Sequence, residues 1–277
     1  MSNKMMPVSR ARVSTGAAKI CSALLAVALL AAVAGRADAA SMTEGVKNFK
    51  PYIVESIGKA IAGAEELQAA VKAGDVNAAQ TAWIKSRRGW EVMETVTLSY
   101  FGDLDKVVDA WPDGKTGYHA IEVVLFKAEK VDGLDKPIAD LLVNLDKFEK
   151  RATSKKFKIT AQKLLEGTAN LAYEVGEEKS TGGESPFAGT SIVDMQENVA
   201  GIEVAYRMVF ADTLRKKSPE LAAIIEQRIV KLGKLVKVDN IKSMNQKAVY
   251  VAGEELAALL LTAAPKSGLK SFKVGDE

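Results

Sequence analysis

Apolar residues recur every three or four positions along almost the whole chain, and no stretch shows the strict alternation of a half-buried strand. That periodicity restricts the fold to helices that bury one stripe each. Between Val46 and Ala73 the inner positions are Ile53, Ile57, Ile61, Ala64, Leu67 and Val71. Lys72-Ala73-Gly74 closes this helix and Asp75 is placed to cap the next, which is expected to reach about Tyr100. Phe101-Gly102-Asp103 is read as a break, Leu104 to Ala110 as a short helical piece, and Trp111 to Gly117 as a loop. Another helix starts near Tyr118, and later ones are expected over 138–151, 156–178, 191–213, 219–232 and 240–262. Pro137 and Pro219 fall where first-turn prolines belong, with Ser218 as a cap. Pro51 marks the start or a kink of the first helix. Residues 236–241 are the weakest helical stretch and could be extended. The expected architecture is all-α, antiparallel helices in bundles, with the linker Thr181-Gly182-Gly183-Glu184-Ser185-Pro186 separating halves at 40–180 and 190–277.

The N-terminus reads as a secretory signal over residues 1–39. Lys4, Arg10, Arg12 and Lys19 precede an apolar run from Ile20 to Ala34, and Ala37-Asp38-Ala39 offers a small-x-small cleavage site. The run is shorter than the roughly 20 apolar residues of a membrane span. This leader holds five of the 38 Lys and Arg and one of the 35 Asp and Glu, leaving 33 bases and 34 acids in the mature chain. A near-neutral balance argues against nucleic acid as a partner. The one cysteine, Cys21, lies near the start of the apolar run, so lipidation there is not expected, and disulfides and thiolate metal sites are excluded from the mature protein. No second membrane-spanning stretch is read, so a soluble protein of the periplasm is expected.

Metal chemistry is the function class the polar residues permit. The single histidine, His119, precedes Glu122 by three positions, which puts one imidazole and one carboxylate on the same helix face. Glu91 and Glu94 repeat the spacing in the preceding helix. Two such helices side by side would make a four-ligand cluster of one nitrogen and several oxygens, a set suited to iron, zinc, copper or manganese. Acid pairs at this spacing are also common on solvated helix faces, and spacing alone leaves both readings open.

The residues 117–122, Gly-Tyr-His-Ala-Ile-Glu, followed by apolar Val123 to Phe126, resemble the glycine-aromatic-His-x-x-Glu motif of the imelysin family, which includes EfeO-type periplasmic proteins of iron import. Ala82-Trp83 with Arg87, Trp90, Glu91 and Glu94 is similar to the family's Trp…Arg…aromatic-Glu-x-x-Glu helix. Asp103-Leu104-Asp105 through Val108-Asp109, and Asp194, Gln196, Asn198 and Gly201, match two further segments in order. Thr95 stands where many members carry proline, and the chain resembles the short branch without a cupredoxin-like domain. The resemblance implies an all-helical fold of two bundle-like halves. It also implies a metal site at His119 and Glu122 with Glu91, Glu94 and Asp109, supported by Asp194 and Asn198. Iron is the expected ion, zinc or copper the alternatives, and an inner-membrane iron permease the expected recipient.

Two other functions come into question. Lys155-Lys156-Phe157-Lys158 and Lys231, Lys234 and Lys237 could offer basic patches to an acidic polysaccharide such as alginate, although ordinary solvated lysines are the commoner outcome. A metallopeptidase would need two histidines at i,i+4 around a general-base glutamate, and the chain has one histidine.

Overall fold

The protein is described here by a computed structural model covering residues 16–110 and 115–275, with backbone only for residues 16–40. The expected leader over 1–15 and the loop residues 111–114 lie outside the described residues. The chain divides into two compact units at Ala39/Ala40. The first is helical over its described part. The second holds the bundle and everything discussed below.

The described residues form helices and turns and contain no strand. Helix α1 spans Gly16–Lys72, α2 Val76–Glu91, α3 Glu94–Val108 and α4 Gly117–Glu122, the last extended by a π-turn at Val123–Lys127. Then come α5 Asp135–Thr153, α6 Ala161–Glu177, α7 Ser191–Ala205, α8 Ala211–Lys217, α9 Pro219–Leu235 and α10 Gln246–Ser267. A π-turn at Tyr206–Phe210 joins α7 to α8. Short 3-10 turns at Lys179–Thr181 and Ile241–Ser243 follow α6 and α9. Residues 236–240 are neither helix nor strand, and Ile241 begins the second of these 3-10 turns.

Several boundaries depart from the periodic reading, each for a physical reason. Pro51 neither starts nor ends α1. It lies on the exposed side, where its missing N–H costs least, while Val46, Phe49, Ile53, Ile57 and Ala60 carry the buried stripe past it. The Phe101-Gly102-Asp103 break is only a distortion inside α3, with Phe101 at φ −134°, ψ 22°. Phe101 is buried and stacked on Phe148 at 3.7 Å between ring centroids, which holds the two segments in line. Asp75 caps α2 through Ala78 N at 2.9 Å. Ser218 occupies the corresponding position of α9, but its side chain caps nothing. Helix α6 starts five residues later than expected, capped by Thr160 on Lys163 N.

Helix α10 is long and apolar enough to cross a membrane by length and composition, contrary to the expectation of no second such stretch. In the bundle it buries Val249, Ala252, Leu256, Ala257 and Leu260 and packs against α6 and α9. Small residues allow a close α6–α10 approach: a Cβ on Gly253 would lie 2.7 Å from Ala172 O. The 181–186 linker thus joins segments that belong to one packed unit. The centre of the core is aromatic, with Trp83, Trp90, Phe101, Tyr118 and Phe148 fully buried.

Candidate metal centre

The main departure from the sequence reading falls at Glu91 and Glu94. They do not share a helix. Glu91 is the last residue of α2 and Glu94 the first of α3, with Val92 and Met93 forming the turn between them. Helix α7 drives into this turn. A Cβ on Gly201 would sit 2.3 Å from Val92 O, so only glycine lets α7 come this close. The break releases the Glu91 carbonyl from helical bonding, and Asn198 Nδ2 of α7 donates to it at 3.0 Å. The same amide donates to Glu91 Oε2 at 3.0 Å and Glu94 Oε2 at 2.8 Å. Asn198 therefore gathers both carboxylates.

A second glycine brings in the remaining donors. Gly117 opens α4 at φ +63°, and a Cβ there would fall 1.9 Å from Val108 O. The start of α4 is thereby pressed onto the end of α3, which sets His119 beside Asp109. His119 Nε2 lies 3.0 Å from Asp109 Oδ1, and His119 Nδ1 lies 3.3 Å from Glu122 Oε2. Glu122 is spoken for on its other oxygen, which accepts the backbone N–H of Phe187 and Ala188 at 2.9 Å each.

The five expected residues are thus brought to one place, but in two tiers. One carboxylate oxygen each from Glu91, Glu94 and Asp109 lies within 4.8 Å of the others. An ion at roughly 2.0–2.2 Å from its ligands needs oxygens about 3 to 4.4 Å apart, so a small closure suffices. His119 adjoins this group through Asp109. Glu122 holds the imidazole from behind.

Two cations that spacing did not single out sit among the acids. Arg87, 1% exposed, ion-pairs with Glu91 at 2.7 Å, Glu184 at 3.1 Å, Asp194 at 3.2 Å and Asp109. Its guanidinium offers five N–H donors in a fixed plane, which suits four carboxylates arriving from different elements. Lys179, 5% exposed, reaches Glu94 at 2.9 Å, Glu184 at 3.3 Å and Glu91 at 3.6 Å. Ser185 Oγ donates to Asp194. Lys179, Glu184 and Ser185 escape sequence reading because Glu177-Glu178-Lys179 looks like a solvated helix end and Gly182 to Pro186 like a surface linker. Their only signal is charge in a segment too short to stand far from the bundle.

Proton affinities follow from this crowding. Burial pushes the Glu91 carboxyl up to about 8, against the opposing pull of Arg87 and Lys179. Burial and then the neighbouring Glu91 hold Glu94 well above the usual carboxylate range. Asp109 goes the other way: burial is outweighed by Arg87 and His119, which keep it ionised far below its ordinary value. His119 is raised to about 9 because, against burial, its ring is held by Asp109 and Glu122. His119 and the Glu91–Glu94 pair therefore hold a proton more tightly than an ordinary imidazole or carboxyl group. Six carboxylates (Glu91, Glu94, Asp109, Glu122, Glu184, Asp194) thus share one region with Arg87, Lys179 and His119.

A profile of the imelysin family, which carries a peptidase label, matches residues 53–263. An Efem/EfeO family lipoprotein of Staphylococcus haemolyticus is 32% identical over 206 residues, covering 71% of each chain. One from Staphylococcus aureus strain MRSA252 is 31% identical over 206 residues, covering 71% of this chain and 72% of its own. Among solved structures, an iron-regulated protein A precursor from Parabacteroides distasonis superposes with a TM-score of 0.65 at 16% identity, over 82% of this chain and 95% of that one.

Proposed function

We propose that this chain, which belongs to the imelysin family, captures a metal cation outside the cytoplasm, with iron as its cargo. The ligands would be Glu91, Glu94, Asp109 and, after loss of its proton, His119 Nε2. The observation that supports this most is the convergence of three largely buried carboxylates beside the chain's one histidine. Imidazole with carboxylates suits a borderline transition metal better than a soft one, and better than calcium, which takes oxygen alone. The relatives' names agree in kind, since one is called iron-regulated. Glu122 would act on the metal indirectly. A carboxylate on the far imidazole nitrogen fixes the ring and its tautomer, as metal-binding histidines generally require.

Export would follow from the basic and apolar N-terminus, and delivery to an inner-membrane iron permease from the family resemblance. A peptidase role is the weaker reading. The one histidine cannot supply the paired histidine ligands of a zinc peptidase helix, and Glu122, the residue nearest a general base, has both oxygens engaged.

The test is calorimetric titration of chelator-stripped protein (residues 40–277) with Fe2+ under anaerobic conditions, beside Glu94→Gln and His119→Ala. Low-stoichiometry binding weakened at least tenfold in each variant is expected. Equal binding by parent and variants would place the cargo elsewhere.

A further inference from the structure

A cation already stands at the proposed capture site, and the chain supplies it. Lys179 Nζ contacts the Oε2 atoms of Glu94, Glu184 and Glu91, and the first and last of these belong to the converging carboxylate group. Glu94 Oε2 is shared between Lys179 at 2.9 Å and Asn198 at 2.8 Å, so an ion bound by this carboxylate would meet the ammonium at the same group.

The two buried cations are anchored differently. Arg87 lies inside α2 and is held by four carboxylates through a planar fork. Lys179 lies on the three-residue turn 179–181, which Gly182 ends at φ +84°. It is a point charge on a flexible stem, able to change partners without moving its backbone far. A polar cavity of about 130 Å³ opens beside Glu94, lined by Asp105, Asn170 and Glu174 among others. Lys179 and Asp105 act on one another electrostatically, which places the two groups within reach of each other. Glu174 also acts on Lys179. An ammonium needs about the volume of one water, roughly 30 Å³, so the cavity has room for it.

We propose that Lys179 is an internal counter-cation that occupies the capture site in the empty protein and yields it to a multivalent metal ion by swinging into the Asp105–Glu174 cavity. This rests on the cation-capture reading above. The exchange makes Lys179 a specificity-determining residue. A monovalent ion offers Glu91 and Glu94 no more charge than the ammonium already there, whereas a divalent ion doubles the Coulomb attraction at equal distance. The lysine also keeps the carboxylates from repelling one another while the site is empty.

The experiment titrates the parent and Lys179→Met with Zn2+ and Mn2+ at pH 7.5 by calorimetry. Circular dichroism checks that the variant folds. In parallel, the parent is acetylated with and without Zn2+, and the modification of each lysine is read by mass spectrometry with exposed Lys136 as reference. Removing one charge-assisted competitor should tighten binding roughly tenfold or more, and Lys179 should gain reactivity only when Zn2+ is bound. If the parent binds Zn2+, Lys179→Met binds no tighter and Lys179 stays protected, the exchange is wrong while the capture reading stands. Binding of neither ion by either protein removes the exchange, and the Fe2+ titration above then decides the capture reading separately. Should Lys179→Met not fold, the labelling of the parent decides alone.

Discussion

Replacing Arg87 with methionine is the sharpest test of how the centre is held together. Methionine follows the aliphatic stem but removes the guanidinium from between Glu91, Asp109, Glu184 and Asp194. Arg87 is 1% exposed, so water cannot replace it at small cost. Breaking a buried network by deleting one partner costs about 3–5 kcal/mol, because the charges left behind have no compensation. In a domain of this size that corresponds to a fall in melting temperature of roughly 10 °C. The pH dependence is a second signature. Asp109 is held below its ordinary value with Arg87 as the largest favourable cause, so this pairing stabilises the fold above pH ~4 and is lost only in stronger acid. Without Arg87 the carboxylates take up protons at higher pH, which relieves their repulsion. The deficit should therefore be largest near pH 7.5 and at least 1 kcal/mol smaller near pH 5. Urea unfolding followed by circular dichroism at both values measures it. A variant within 1 kcal/mol of the parent at pH 7.5, or a deficit that grows in acid, would refute the reasoning.

Gly117→Ala should be destabilised by at least ~2 kcal/mol, since it forces a side chain into a left-handed backbone and against Val108 O. It should also lose metal affinity by parting His119 from Asp109, which thermal melts and titration read together. Asp75→Ala, far from the centre in function, should cost about 1 kcal/mol through the lost cap and leave metal binding unchanged. Cation uptake near pH 7 should release protons from His119 (about 9) and from Glu91 (about 8), so affinity should rise with pH through that range. Calorimetry in two buffers of different ionisation enthalpy counts those protons, and a count of zero would contradict the assignment. Mass spectrometry of exported protein should find Ala40 at the mature N-terminus.

The helical class was legible because a 3.6-residue period over so many segments has no other outcome. The pairing of His119 with Glu122 was equally local: three residues on one short helix. What spacing could not show is the turn at Val92 and Met93. No proline or glycine marks it, and its cause is tertiary: Gly201 and Asn198 arrive from a helix about a hundred residues away. The Glu-x-x-Glu pattern consequently singled out two carboxylates that do converge, but at a helix junction instead of on one helix face. Lys179 and Glu184 were hidden for a related reason. Charged residues at a helix end and in a glycine-rich linker look solvated until the rest of the chain closes over them. Arg87, quoted only as part of a motif, is the hub because its position in α2 faces Glu91 of its own helix and three acids brought by three other stretches of chain.

One ion is proposed to sit among Glu91, Glu94, Asp109 and His119. Crystals of iron-loaded protein, with diffraction measured on both sides of the iron absorption edge, test it most directly. A single strong anomalous peak is expected about 2.0–2.3 Å from an oxygen of each of the three carboxylates and from His119 Nε2, with Glu122 still on His119 Nδ1. A peak at another place in the bundle, or none in protein shown by elemental analysis to carry iron, would contradict it.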